Sequence, residues 1–306
     1  MSIIKVKKED KDKRLDKFLI EKMPEHSRSY WQKQIKAGLV LVNNKQAKVH
    51  EFLKENNKVS IKQESKRTLN KKNKIQRKYN LLHENKNYLI VEKPAGMLTH
   101  RTGGEEGLAD ALLKDYPEIE GVGEKYRWGI VHRLDRDVSG VLLVARTKEF
   151  FKYIKKQFKE RKVKKNYLAL VYGEIQRDED DINFVIARAK EGKMAARPEE
   201  GEGKEATTHF DVLHHYKNYT FLCVQILTGR THQIRAHMLA YGYPVVGDRI
   251  YRARLASRRN KIKIPCEMDR IFLHSHIIGF NNLKGERVEY ESKLPKELKD
   301  CLKELK

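Results

Sequence analysis

Cysteine is scarce in this chain: there are three in 306 residues, Cys223, Cys266 and Cys301, far apart and without a Cys-x-x-Cys pair. An odd number so spaced argues against a disulfide framework and against a zinc knuckle. Cys223 lies in an apolar, strand-like run and reads as a small core residue. The compartment expected is a reducing cytoplasm. No apolar run approaches the roughly 20 residues a membrane span needs. Met1-Ser2-Ile3-Ile4-Lys5 has no apolar core of a signal peptide. Neither Gly-x-Gly-x-x-Gly nor a P-loop occurs, so nothing points to a redox carrier or a phosphate donor, and no cofactor is expected. A spaced ligand set such as His-Glu-x-x-His is also missing, and no internal repeat is visible.

Positive charge, in contrast, is abundant: 65 Lys or Arg against 42 Asp or Glu give a formal net charge of +23. Such an excess speaks about partners rather than fold. The basic runs lack the aromatic face of a membrane-surface helix, so nucleic acid is the better partner. With 39% hydrophobic residues, the chain is long enough for one large domain or a large and a small one.

The charge is uneven. Residues 1–78 hold 23 Lys or Arg against 9 Asp or Glu, a net +14. Leu15, Phe18 and Leu19 fall on one helical face. Tyr30, Trp31 and Ile35 form the face of a second helix, opened by Ser27 or Ser29 and stopped by Gly38. Leu39 to Val42 reads as a strand running into the turn Asn43-Asn44, and Val59-Ser60-Ile61 as another. The pieces Arg14-Leu15-Asp16-Lys17-Phe18-Leu19, Ser27-Arg28-Ser29, Gln34-Ile35-Lys36-Ala37-Gly38 and Val40-Leu41-Val42-Asn43 resemble an S4 RNA-binding domain. The resemblance implies RNA-binding roles for Arg14, Arg28, Lys33 and Lys36. The division expected is an S4-like module over 1–65, a basic flexible linker over 66–78, and a catalytic domain over 79–306.

From Tyr79 the pattern is that of a larger unit. Tyr88 to Val91 reads as a strand, Ala109 to Leu113 as a short helix. Phe150, Phe151, Ile154 and Phe158 set one face of a helix whose other residues and exit are crowded with lysine, a candidate phosphate contact. Asn166 to Val171 is a strand, and 178–203 a loop region. Thr207 to His215 and Tyr219 to Leu227 form a hairpin. Thr231 to Tyr241 is a helix, 249–269 a basic excursion, Ile271 to Phe280 and Arg287 to Tyr290 are strands, and Pro295 opens a last helix. Hairpins with segregated helices indicate an α+β fold: a small basic α/β module followed by a larger, mainly antiparallel sheet domain with a central cleft.

The centre of the chain is Gly129-Ile130-Val131-His132-Arg133-Leu134-Asp135-Arg136-Asp137-Val138-Ser139-Gly140. Apolar runs flank it, Ile130-Val131 before and Val141 to Val144 after, each readable as a buried strand. Five charged or titratable residues stand between them. If the segment is extended, Arg133 and Asp135 share a face. A carboxylate so placed can be nucleophile, general base or metal ligand. Arg133 beside it disfavours a metal, although His132 with Asp135, or His274 with His276, could in principle chelate one. Arg235 lies at the edge of a helical stripe made by Ile234, Met238 and Tyr241, and needs an acidic partner if it is partly buried.

The run His132 to Gly140 resembles the catalytic motif of RluA-type pseudouridine synthases. Three more blocks resemble that family in the same order: Leu89 to Gly96, Lys165 to Gly173, and Thr228 to His237. The resemblance spans about Leu81 to Pro295. It implies that Asp135 is the catalytic carboxylate, as nucleophile or as the base of a glycal route. It also implies that Arg235 bridges Asp135, that Tyr167 stacks on the target base, and that Arg133 holds the flipped nucleotide. His132, His232, His237 and His274 read as packing or supporting groups. The activity implied is uridine-to-pseudouridine isomerisation in structured RNA, most of all large-subunit ribosomal RNA, by a monomer with no metal and no membrane contact. Two alternatives are a non-catalytic RNA-binding or ribosome-assembly protein on the same scaffold and a metal-dependent nucleic-acid hydrolase.

Overall fold

Leu15, Phe18 and Leu19 are fully buried, as are Ile35 and, but for 1%, Trp31. They form the core of the first of two compact units in a computed structural model, Met1–Gln76 with Thr102–Glu105, the second being Arg77–Arg101 with Glu106–Lys306. The structure describes residues 2–24, 26, 28–61, 79–188, 194–197, 203–251, 266 and 268–305.

In the first unit, β1 (Ser2–Lys5), α1 (Leu15–Lys22), α2 (Arg28–Lys36), β2 (Val40–Val42), β3 (Lys45–Gln46) and β4 (Lys58–Ile61) follow in order. The strands make an antiparallel sheet in the order β1-β4-β2-β3. Asn43 and Asn44 both take left-handed backbone, φ 51° and 64°, and turn β2 tightly into β3. The two helices press Phe18, Leu19, Trp31 and Ile35 against Val40, Leu53 and Val59. Burying each large side chain contributes about 1.5–3 kcal/mol. The short strand β1 carries no local signal of its own; it forms by pairing with β4, from the other end of the unit.

The second unit contains β5 (Asn80–Glu84), β6 (Tyr88–Lys93), α3 (Leu108–Asp115), β7 (Ser139–Ala145), α4 (Lys148–Lys159) and β8 (Lys164–Tyr172). It continues with β9 (Glu179–Ile182), β10 (Val185–Arg188), β11 (Met194–Arg197), β12 (Lys204–Glu205), β13 (Thr208–Tyr216) and β14 (Tyr219–Ile226). The last elements are α5 (Gln233–Ala240), β15 (Leu273–Asn281), β16 (Arg287–Glu291) and α6 (Lys296–Glu304). Nine of the strands form one sheet, ordered β5-β6-β7-β15-β8-β14-β13-β9 with β16 on β15. Among the described residues, β7 and β15 are its one parallel pair. Both faces of its centre are covered: Leu142 and Val144 of β7 join one core cluster, Val141, Leu143 and Ala145 the other. That explains why β7 reads as a continuous apolar run rather than an alternation.

Several expectations are corrected. Ile130-Val131 is not a strand; Ile130 makes one isolated bridge to Val144, because Gly129 turns the chain at φ 70°. Where 178–203 is described it carries β9, β10 and β11 rather than loop, since pairing with β13 and within a small sheet outweighs the poor strand propensity of its acids. The helix α5 starts at Gln233, not Thr231, because His232 takes left-handed backbone, φ 55° and ψ 25°. Cys266 and Cys301 form a disulfide, against the expectation of none; α6 brings together two residues 35 apart in sequence, with Cα atoms at 5.3 Å. The expected linker 66–78 and the basic residues 252–263 lie outside the described residues.

Candidate active site

Asp135 sits in the segment that leads into β7, and its neighbours are clamped on both sides. Thr99 Oγ1 donates to the Leu134 carbonyl at 2.7 Å and accepts from the Leu134 N–H at 3.1 Å. Lys93, at the end of β6 and wholly buried, donates to the carbonyls of Pro94, Met97 and Arg136 at 2.8–2.9 Å. Burial and nearby Arg270 hold its pKa down at about 7. Leu134 and Val138 anchor the segment in the core. Gly140 then passes β15 so closely that a Cβ would stand 2.1 Å from the Ser275 carbonyl oxygen, at φ 119°. No side chain fits there.

On the facing side, α5 presents Arg235. Its guanidinium Nη1 donates to Asp135 Oδ2 at 2.9 Å. The same group gives Nε and Nη2 to Asp248, at 2.7 and 2.9 Å, as a two-pronged pair. Asp248 also accepts the backbone N–H groups of Ile250 and Tyr251. Its burial alone would raise its pKa, but Arg235 outweighs that and holds it low. The Arg235 guanidinium lies over the Tyr251 ring, 4.9 Å from its centroid. Gln233 to Met238 are all buried, so α5 is no surface helix and Arg235 no surface arginine. Among the described residues Asp135 Oδ1 has no hydrogen-bond donor: one carboxylate oxygen is held and one is left open.

Asp135 lines a cleft of about 820 Å³, whose walls also include Arg133, Tyr167 and Arg235. The structure therefore brings all four sequence-predicted residues to one place. Arg133 is exposed at the rim, whereas Tyr167, on β8, is 6% exposed and its hydroxyl is raised by burial. Lys155, Lys156, Lys159 and Arg161 line the cleft from α4 and its exit. Lys165, at the end of that lysine-rich run, is instead buried; its Nζ donates to the Thr228 carbonyl at 3.3 Å, and burial lowers it to about 8.

The histidines divide. His132 accepts the Leu143 N–H on Nε2 at 3.0 Å, stacks on Phe158, and is pushed down to about 3 by burial. His237 and His274 are fully buried and held at about 4. These three are neutral packing groups. His274 and His276 both meet the Ser292 carbonyl, so neither pairs with the other around an ion. The three-ligand grouping found among the described residues is elsewhere, at Glu179, His209 and Asp211 on partly exposed strand positions. His132 and His232 both line the cleft, but it is His232 that approaches the carboxylate, with Nε2 3.8 Å from Asp135 Oδ2.

Sequence reasoning missed Asp248, Tyr251 and Lys93. The available signal for Asp248 is the demand of a half-buried arginine for acid; a single partner, Asp135, already satisfies that demand on paper.

In the first unit, Arg14 and Arg28 converge on Asp16. Its fully buried carboxylate accepts from Arg14 Nε and Nη2, Arg28 Nε and Gln32 Nε2 at 2.9–3.1 Å. Burial opposes its charge, yet the arginines and Gln32 hold its pKa well below the usual range. Both arginine side chains stay partly exposed, 27% and 49%. Lys36 is exposed on α2. The Lys33 side chain lies outside the described residues.

An arginine-bridged aspartate thus lines a lysine-rich cleft on a mixed sheet. Residues 87–240 match the family model of the RNA pseudouridylate synthases and residues 13–59 that of the S4 domain; the chain belongs to the RNA pseudouridylate synthase family and is an RNA pseudouridine synthase, an isomerase. An uncharacterized RNA pseudouridine synthase of Aquifex aeolicus is 34% identical over 302 residues, 97% of this chain and 95% of that one. Ribosomal large subunit pseudouridine synthase D of Pseudomonas aeruginosa is 32% identical over 296 residues, 93% of this chain and 89% of that one. The structure of human RNA pseudouridylate synthase domain containing 1 superposes with a TM-score of 0.58 at 30% identity, over 74% of this chain and 88% of that one. Among the described residues no helix is long and apolar enough to cross a membrane.

Proposed function

We propose that this enzyme isomerises uridine in large-subunit ribosomal RNA, with Asp135 as the carboxylate that acts on the ribose. The observation that carries the proposal is the half-held carboxylate of a cleft-lining residue: Asp135 Oδ2 accepts from Arg235 at 2.9 Å, while Oδ1 has no donor among the described residues. The reaction breaks N1–C1′, turns the base and forms C5–C1′; C5 gives up its proton and the freed N1 takes one up, so the product is an isomer of uridine. Both the covalent route, in which the carboxylate attacks C1′, and the glycal route, in which it takes a proton from C2′, need such an oxygen. The uridine must leave its stack to reach it. Tyr167 offers a ring for the flipped base, an interaction worth roughly 1–3 kcal/mol. Arg133 at the rim holds the strand, and the lysines of α4 meet its phosphates.

Ribosomal RNA is favoured by the pairing of an S4 domain with this fold and by the relatives carrying the large-subunit name. The division of labour is placement by the S4 module and chemistry in the second unit, in a cytoplasmic monomer. Comparing pseudouridine maps of RNA from cells with and without the gene tests this. Loss of one or a few pseudouridines confined to large-subunit rRNA is expected; an unchanged map of that RNA would overturn the assignment.

A further inference from the structure

His232 combines three features, of which its left-handed backbone and its approach to Asp135 set it apart from the other described histidines of the second unit. It stands at the cleft wall beside Asp135. It takes the left-handed backbone that a side chain rarely accepts, φ 55° and ψ 25°, at the residue just before α5. Strained backbone of this kind persists where the surrounding structure enforces it, and clusters at functional sites. Its ring is also fixed from behind: Nδ1 lies 3.0 Å from the Tyr251 hydroxyl.

That hydrogen bond decides the tautomer. The Tyr251 oxygen accepts the Met194 backbone N–H at 3.1 Å. A phenol has one proton to give, and among the described residues His232 Nδ1 is the acceptor in reach of it. With Nδ1 accepting, the ring proton resides on Nε2. This nitrogen is 3.8 Å from Asp135 Oδ2, beyond hydrogen-bond distance, in a side chain that lines the cleft. Burial, together with Arg235 and Arg133, keeps the ring's pKa below the ordinary histidine value against the pull of Asp135 and Asp248.

We propose that His232 is a further catalytic residue, whose Nε2–H donates a hydrogen bond to the ribose of the target uridine, and that Tyr251 is the positioning residue that points it. This rests on Asp135 being the group that acts on the ribose. Whether the carboxylate attacks C1′ or takes the proton from C2′, the sugar's C1′–C2′ edge must lie against it. Its oxygens are then the acceptors nearest to Nε2, and 2′-hydroxyl recognition is a normal way for a protein to read RNA. Arg235 holds Asp135, while His232 holds the sugar.

The test uses the full chain in excess over total RNA from cells lacking the gene and grown on [5-³H]uridine, reading release of C5 tritium in a single turnover. His232→Phe is expected to slow the saturated rate about fivefold to twentyfold, the range for removing a single hydrogen bond, with half-saturation unchanged within twofold. His232→Gln, which keeps an N–H donor, should recover most of that rate. Tyr251→Phe should slow the wild-type background severalfold and have no further effect on His232→Phe. A His232→Phe rate within twofold of wild type, no recovery by Gln, or equal slowing by Tyr251→Phe in both backgrounds would each overturn the assignment. Asp135→Asn is run alongside. If it is active, the role of Asp135 fails; if it is dead while His232→Phe is normal, only the present inference fails.

Discussion

Asp135 and Asp248 share a single guanidinium: Arg235 gives Nη1 to the first and Nε with Nη2 to the second. Asp248, with no exposed side-chain surface, is tied by two bonds, and Asp135, 18% exposed, by one. Removing the arginine leaves a buried carboxylate without its cation, which costs about 3–5 kcal/mol. Arg235→Ala should therefore fold but unfold at lower denaturant, with hydrogen exchange accelerated in α5 and around Asp248. Tritium release should fall at least a hundredfold at saturating RNA. Near-normal turnover would mean that the bridge has no part in the reaction.

Asp135→Asn removes the carboxylate's charge while keeping its size and an oxygen for Arg235. Isomerisation should be abolished. RNA affinity should stay within a few-fold, since phosphate contacts dominate binding. Filter binding and tritium release on the same preparation check this, and substantial turnover by the variant would refute the role of Asp135.

The lysines of α4 line the cleft without any tie to its carboxylates. Replacing Lys155, Lys156 and Lys159 together by alanine should weaken RNA binding at every sequence. The log–log dependence of affinity on salt should flatten by roughly 0.7–0.9 for each phosphate that the variant no longer neutralises. The single-turnover rate at saturation should be nearly unchanged. An unaltered salt slope would show these lysines to be a solvated face.

Asp16 makes the first unit's stability depend on pH in a definite direction. Its folded pKa lies below the ordinary value of 3.8. The unfolded chain thus takes up the proton first on acidification. The stabilisation is complete above about pH 5 and is lost as pH falls through 3.8 towards the folded pKa. Asp16→Asn should destabilise α1 and α2 at pH 7 by about 3 kcal/mol, seen as faster hydrogen exchange there. The gap from wild type should narrow below pH 4. Released from their anchor, Arg14 and Arg28 should also bind RNA less tightly. A gap that is constant from pH 7 to pH 3 would contradict the network.

Most of the secondary structure was legible because local pattern and tertiary demand agree. The apolar faces of α1, α2 and α4 and the hairpin β13–β14 follow the periodicities of 3.6 and 2, and buried Phe18, Phe150 and Phe210 bear out those faces. Local pattern failed where long-range pairing decides. The acids of β9 form a strand only because β13 offers them an edge. Cys266 and Cys301 meet only because α6 returns along the chain.

By itself the sequence determined the excess of positive charge, and its four ordered blocks pointed, through the family they resemble, to Arg133, Asp135, Tyr167 and Arg235 as candidates. Charge is composition, and each block is held within a short run. Only the tertiary structure decided which oxygen of Asp135 is held and which is open. It also selected Asp248 as the second acid on Arg235, and set His232 beside Asp135 while tying His132, His237 and His274 into the packing. Each of these is a relation between side chains on elements far apart in sequence, whose distances are set by how the sheet and α5 pack, and no periodicity along the chain encodes them.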